Sequence, residues 1–303
     1  MVDLSIIIVS YNTKEFLKNC IKSIADNIDG LKVEIIIVDN ASKDGTVGEI
    51  QNSKFKIQNY NLKFKMIENK NNLGFSKANN IGVKNSNGKY LLFLNPDTIV
   101  KKSTLTRMVN FMNQYKDAGA ATCKIELPNG DLDDASHRGF PTPWRAFCHF
   151  TGISKIFPNS QFFNGYHLGW KDLDKVHSID SAAGAFMIVE REAGEKISWW
   201  DEDFFWYGDD LDFCYRLREK GWKVYFVPDC SILHYKGVSG GIKDSSQHLT
   251  TANKETKIRA TKARFEAMEI FYKKHYIKNY NTIVTWFIFK IIHLKLFLSL
   301  RNY

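Results

Sequence analysis

Cysteine is scarce and unpatterned in this chain. Five residues, Cys20, Cys123, Cys148, Cys214 and Cys230, are scattered along 303 positions with no C-x-x-C pair and an odd count. That excludes a disulfide framework or a cysteine zinc site and fits reduced thiols in a cytosolic protein. Two glycine signatures are missing as well. Neither G-x-G-x-x-G nor G-x-x-x-x-G-K-[ST] occurs, so a dinucleotide fingerprint and a P-loop are both excluded. The opening stretch MVDLSIIIVSYN has no basic segment ahead of its short apolar run, and is expected to be a buried strand rather than a signal peptide. The chain also lacks acidic balance, with a net charge of +9 and a pI near 9.1. No nucleic-acid recognition motif accompanies that charge, so a nucleic-acid partner is not expected.

What is present is ordinary for a folded protein, with 44% hydrophobic and 25% charged residues over a length that can bury a large core. The charge is concentrated at one end. Lys254 to Tyr303 carries eleven Lys or Arg against three acids, a net +8. Within it, IVTWFIFKIIHLKLFLSL from Ile283 to Leu300 is an apolar segment of borderline spanning length, interrupted by Lys290, His293 and Lys295. Each central Lys costs about 2.5–3.5 kcal/mol and each apolar residue returns about 0.3–0.6 kcal/mol, so insertion is close to balanced. The segment is expected to lie in the interface of an anionic membrane with its lysines snorkelling. The alternative is a soluble helix packed on the body or on a dimer partner.

Apolar runs LSIIIVS, VEIIIVD, FKMIEN and YLLFLNPD read as strands buried on both faces, with helical patterns between them. The stripe Phe16, Leu17, Cys20, Ile21, Ile24 and Ile28 predicts a helix from Thr13 to about Asn27. Short strands alternating with helices imply parallel crossovers and an α/β doubly wound sheet, in which ligands bind at the carboxyl ends of strands.

The polar motifs sit at those ends. Ser10-Tyr11-Asn12 follows the first run, and Asp39-Asn40-Ala41-Ser42-Lys43-Asp44-Gly45-Thr46 follows the second. A carboxylate leaving a strand can accept the N–H of a pyrimidine ring, and a neighbouring Tyr can pack on its face. Turn and cap chemistry accounts for the same residues, with Ser42 a candidate helix cap. Asn95-Pro96-Asp97 puts an acid at the lip of the sheet, where one carboxylate plus diphosphate oxygens suffices to hold Mg²⁺ or Mn²⁺. Further on, FFWYGDDLDFCYRLREKGW runs from Phe204 to Trp222 and places Asp209, Asp210 and Asp212 beside aromatics. The acids suit the first turn of a helix that stops at Gly221. A carboxylate held against rings is also harder to ionise, which makes a better base near neutral pH.

In their order, SYN, VDNASKDGT, NLGFSKANN, LFLNPDT, AAGAFMIVER and YGDDLDFCYRLREKGW resemble the inverting glycosyltransferases of family 2 over about residues 3–240. The resemblance implies an α/β GT-A fold, a Rossmann-like nucleotide-binding sheet with a fused acceptor-side region, here followed by C-terminal helices. It implies a sugar-nucleotide donor, a divalent cation (Mn²⁺ or Mg²⁺) and a carboxylate base. By it Asp39 binds the nucleotide base, Asp97 is the metal-binding member of the D-x-D motif, Asp210 is the catalytic base, and His234 lies near the diphosphate or metal. Nucleotide-sugar contacts fall on Ser10, Tyr11, Asn12, Asn72, Phe75, Asn79 and Asn95, and acceptor contacts on Gly184, Trp206, Tyr207 and Asp209. The sequence departs from the pattern at Asn95, which replaces the first acid of D-x-D and puts metal affinity in question.

Residues 1–126 are expected to form the nucleotide-sugar half, 127–245 the acceptor-binding and catalytic half, and 246–303 a basic, membrane-associating helical tail. The aromatic-rich stretch from Leu127 to Ile179 reads as an insertion over the acceptor side. Within it GDLDDASHRGFPTPW resembles bacterial rhamnosyltransferases of the same family, which points to dTDP-rhamnose as donor, with a UDP-hexose as the alternative. The implied partners are that nucleotide-diphosphate sugar, a glycan or polyprenyl-linked acceptor, an anionic membrane surface at the inner face of the cell membrane, and a second copy meeting through the C-terminal helices. A non-catalytic sugar-binding protein of the same fold is the competing class. Retention of both Asp97 and Asp210 argues against it, since binding alone requires no base.

Overall fold

The four apolar runs of the N-terminal half become parallel strands in the computed structural model, which describes residues 2–52, 62–238, 240–242, 250 and 252–303. They are β1 (Leu4–Ser10), β2 (Val33–Asp39), β3 (Leu62–Glu68) and β4 (Tyr90–Leu94), ordered β3-β2-β1-β4. Helices α1 (Lys14–Ala25), α2 (Thr46–Asn52) and α3 (Phe75–Lys84) make the crossovers. One strand differs from expectation. β3 lies at the edge of the sheet and exposes Lys63, Phe64 and Lys65, so FKMIEN is not buried on both faces; lysines at an open edge discourage pairing with another chain.

Beyond β4 the sheet stops being parallel. The remaining elements are β5 (Thr98–Val100), α4 (Thr104–Gln114), β6 (Ala118–Glu126), α5 (Pro143–Thr151), α6 (Ile153–Ile156), β7 (His177–Ile179), β8 (Phe186–Glu190), α7 (Arg191–Lys196), α8 (Asp209–Glu219), β9 (Lys223–His234), α9 (Lys254–His275) and α10 (Thr282–Leu300). β8 inserts antiparallel between β4 and β6, and the order continues β6-β9-β5, with β7 paired to β9, in a nine-stranded mixed sheet.

Because successive side chains of a strand point to opposite faces, β1 feeds two cores. Leu4, Ile6 and Ile8 pack with Leu17, Cys20, Ile21 and Ile24 of α1 and with Leu105 and Met108 of α4. Ile7 faces the other way, among Ala78 and Val83 of α3, Phe213 and Leu217 of α8, and Phe271 and Tyr272 of α9. Gly82 lets α3 lie directly on β1, since a Cβ there would run into Cγ2 of Ile7.

α9 is thus part of the second core. Asp212 on α8 is fully buried and accepts from Nε of Arg216 at 2.7 Å and Nε2 of His275 at 2.8 Å, which pins the end of α9 to α8. The boundary expected at 246 lies outside the described residues. α10 folds back along α9, with Tyr272 Oη 2.9 Å from Thr285 Oγ1. It leaves Ile283, Trp286, Phe287, Leu294 and Phe297 exposed. By length and composition it could cross a membrane, with a mean hydropathy of 1.8.

Candidate active site

Strand register brings the N-terminal motifs level: Ser10 pairs with Asp39, and Asp39 with Glu68. Asp39 is buried, and its Oδ2 accepts the Ser42 N–H at 2.8 Å while Oδ1 has no partner. Burial pushes its carboxyl up from the ordinary range, against the opposing pull of Ser42. The rest of the loop is braced internally. Ser10 Oγ meets Thr13 Oγ1 at 3.0 Å, and Asn12 Oδ1 accepts the Lys43 N–H at 2.7 Å. Ser42 does not cap a helix but accepts the Asn12 N–H; Asp44 serves α1 and α2 instead, accepting from the Lys14 and Thr46 amides at 3.0 and 3.1 Å.

Tyr11, Asn72, Phe75 and Asn95 line a cleft of about 870 Å³ that also takes in Asp97, His234, Gly184, Trp206, Tyr207, Asp209 and Asp210. Ser10, Asn12, Asp39 and Asn79 are not on its wall. Asn79 is buried inside α3, where its amide donates to the Phe75 carbonyl. The start of α3 is tied to the turn that leads into α8, since the Phe75 N–H donates to the Phe205 carbonyl at 2.9 Å. Gly74 makes that approach possible: it has φ +84°, and a Cβ would sit 2.6 Å from the same carbonyl oxygen.

A short antiparallel ladder forms the next corner. Thr98 pairs with His234 across β5 and β9, and this places Asp97 Oδ1 3.4 Å from His234 Nε2. His234 Nδ1 lies 3.2 Å from Asp133 Oδ2, and Lys236 Nζ is 2.5 Å from Asp133 Oδ1. Burial alone would lower the His234 imidazole, but Asp97 and Asp133 on its two nitrogens outweigh it and hold it up at about 9. Burial would raise Asp133, and His234 and Lys236 instead keep it well below the usual carboxylate range. Among the described residues no three His, Cys, Asp or Glu form a metal cluster. The corner therefore fits a cation only of the kind that takes one protein carboxylate, Asp97, and fills its shell from diphosphate and water.

The third group gathers at the start of α8. Gly208, with φ +74°, turns the chain into the helix, and Asp209, Asp210 and Asp212 occupy its first turn. Asp209 Oδ1 accepts the Asp210 N–H at 2.9 Å, while its Oδ2 is buried without a partner. Burial, then the charge of Asp210, push the Asp209 carboxyl well up. The desolvated acid that the aromatic flank suggested is therefore Asp209. Asp210 is held differently, with Oδ2 accepting the Gly184 N–H at 3.3 Å and lying 2.6 Å from Nη2 of Arg138. Arg138 is itself largely buried; its Nε and Nη2 have no properly angled hydrogen bond. Burial disfavours the guanidinium's charge, which Asp210 and Tyr166 more than restore.

Arg138, Asp133, Tyr166 and Lys236 are cleft residues that motif reading did not name. Arg138 and Asp133 lie in GDLDDASHRGFPTPW, a stretch that stood out only as a whole. Also unforeseen is the share of the wall built by α9 and α10, through Arg264, Met268, Phe271, Ile291 and Lys295.

Comparison with known proteins accords with this geometry. The chain is 28% identical over 239 residues to the rhamnosyltransferase WbbL of Escherichia coli K12, covering 76% of this chain and 82% of that protein. It is 23% identical over 266 residues to the N-acetylglucosaminyl-diphospho-decaprenol L-rhamnosyltransferase of Mycobacterium tuberculosis, covering 84% of this chain and 83% of that protein. The mannosyltransferase PcManGT of Pyrobaculum calidifontis, solved with GDP-Man and Mn²⁺, superposes with a TM-score of 0.56 at 15% identity, over 98% of this chain and 86% of that one. The fold is that of the GT-A glycosyltransferases. Residues 5–173, more than half of the chain, match the model for glycosyl transferase family 2, and the chain belongs to that family.

Proposed function

We propose that this family 2 glycosyltransferase moves L-rhamnose from a thymidine or uridine diphosphate donor onto a hydroxyl of a lipid-diphosphate-linked glycan, with inversion, and that Asp210 is its general base. The observation that carries the reading is the convergence of Asp97 and Asp210 on one cleft, the latter fixed by the Gly184 amide and Arg138. The rhamnosyl group is supported by the names of both bacterial relatives, and the lipid-diphosphate-linked acceptor by that of the mycobacterial one.

Inverting transfer is a single in-line displacement. The acceptor oxygen forms its bond to the anomeric carbon as the bond to the diphosphate oxygen breaks, and the hydroxyl proton passes to Asp210. A base must be aimed as well as available. Arg138 and the Gly184 N–H both engage Oδ2, and the Leu211 N–H engages Oδ1 at 2.8 Å, so the carboxylate is held from three sides. At the other end, Tyr11 on the cleft wall suits the face of thymine or uracil, and Asp39, off that wall and buried with an unpartnered Oδ1, is the candidate acceptor for the ring N–H. Mn²⁺ or Mg²⁺ held by Asp97 would neutralise charge on the departing diphosphate. The apolar, lysine-bearing α10 supports a place on the inner face of the cell membrane.

The test is release of free nucleoside diphosphate from dTDP-rhamnose and from a panel of UDP-hexoses, with Mn²⁺ and a synthetic glycosyl-diphospho-lipid. Acceptor-dependent release with dTDP-rhamnose is expected. Turnover of a UDP-hexose alone would correct the donor, and turnover of none would overturn the reading.

A further inference from the structure

Beyond Asp210 the cleft continues between α5, α9 and α10, where Phe147, Phe150, Met268, Ile288, Ile291 and Ile292 line it. Moving a sugar between two polar substrates requires no such wall. Phe147 and Ile291 are each about half exposed, at 50% and 52%, and contiguous apolar surface of this kind marks a binding site more often than an idle one. Two cations border it. Arg264 on α9 lines the same cleft as Tyr207 of the turn before α8 and His149 of α5. Lys295 on α10 holds Nζ 4.2 Å from the ring centre of Phe150. Neither has a carboxylate partner among the described residues.

We propose that this channel seats the isoprenoid chain of the acceptor lipid, with Arg264 and Lys295 taking its diphosphate. The assignment rests on the reading that the acceptor hydroxyl meets Asp210. A glycosyl-diphospho-lipid carries a sugar, a diphosphate and a chain; the one cleft holds a carboxylate, two cations and apolar walls to receive them. The outer surface of α10, with Trp286, Phe287 and Phe297 exposed, flanks this end of the cleft, so an enzyme resting on a bilayer by that helix would take the chain directly from the membrane.

The experiment measures binding of inorganic diphosphate and of dimethylallyl, geranyl and farnesyl diphosphate to the full chain. A buried methylene is worth about fourfold in affinity, so each isoprene unit should tighten binding at least tenfold. Phe147→Ser with Ile291→Ser should flatten that series to less than threefold per unit and leave inorganic diphosphate unchanged. Arg264→Gln should weaken every member about tenfold. Unchanged nucleotide binding certifies the variants as folded; should they fail that control, the series on the unaltered chain still decides. Affinity that does not rise with chain length, or a rise that survives the double substitution, overturns the channel. Transfer to a soluble, chain-free acceptor is the separate check: if it persists while the series is flat, only the channel falls.

Discussion

Arg138 and Asp210 offer a test in which two roles for one arginine give opposite numbers. Their closest approach is 2.6 Å, between two side chains that are 12% and 15% exposed, so the contact is shielded enough from water to matter. Taken as an ion-pair contact of about 1.5–3 kcal/mol, the range for interactions with charged groups, it amounts at about 1.4 kcal/mol per decade to roughly a 10- to 150-fold effect on turnover. Arg138→Met should therefore lower kcat within that range while donor KM stays put. Asp210→Asn keeps the shape but cannot take a proton, and should lower kcat by about 10²–10⁴. If Arg138 acts only by aiming Asp210, the double variant should match Asp210→Asn within about threefold, because residues working as one unit are not additive. Arg138→Lys should restore only part of the loss, since an ammonium lacks the planar fork. The assay is steady-state nucleoside diphosphate release at saturating acceptor, with thermal denaturation of each variant alongside. A double variant another tenfold or more below Asp210→Asn would refute the aiming role and show that Arg138 touches substrate, an outcome its two unbonded nitrogens make a real alternative.

Four further outcomes are expected. Asp97→Ala should weaken nucleoside diphosphate binding with Mn²⁺ present and leave it unchanged in EDTA, as followed by calorimetry; equal weakening in both would mean that Asp97 does not act through a cation. Asp212→Ala removes the buried acceptor shared by Arg216 and His275 and should cost about 3–5 kcal/mol, lowering Tm by roughly 5–8 °C in a chain of this size; a shift under about 2 °C would detach α9 from the core. Gly74→Ala should lower both stability and turnover, because the new Cβ meets the Phe205 carbonyl at 2.6 Å and φ is +84°. Deleting residues 283–303 should release the protein from anionic vesicles in a flotation assay at low salt, while full retention on the vesicles would place membrane contact elsewhere.

The sequence disclosed most where the determinants are local. Runs such as SIIIV and EIIIV can only be interior parallel strands, and the polar residues just after them are then bound to share one edge of the sheet. FKMIEN misled because edge and interior strands differ in what pairs beside them, which a single run does not state. The second half was less legible for a related reason. β8 is as apolar as β4, and nothing in FMIVE says that it runs antiparallel. The contacts that organise the cleft are also long-range: Asp97 meets His234 through the β5–β9 register, and Arg138 reaches Asp210 from a segment anchored by a bridge to Ser181. Motif order found the acids in these pairs, yet it carried no sign of the arginine.

The C-terminal region shows how a correct physical description can leave a packed element unseen. Its charge and apolar run were both visible, and together they suggested an appendage. In α9, however, the cations are spread along a helix whose small and aromatic positions, Ala260, Ala263, Ala267 and Phe271, are the ones that pack. The basic count masked a buried stripe. Once α9 is held by Asp212, α10 can only return beside it, and its residues Ile291 and Lys295 become the wall of a cleft whose floor was built by residues nearly two hundred positions earlier. The helix proposed to face the membrane and the proposed reaction site then share one cavity. Perturbing the former should consequently register in how the acceptor binds before it registers in how fast the bond forms.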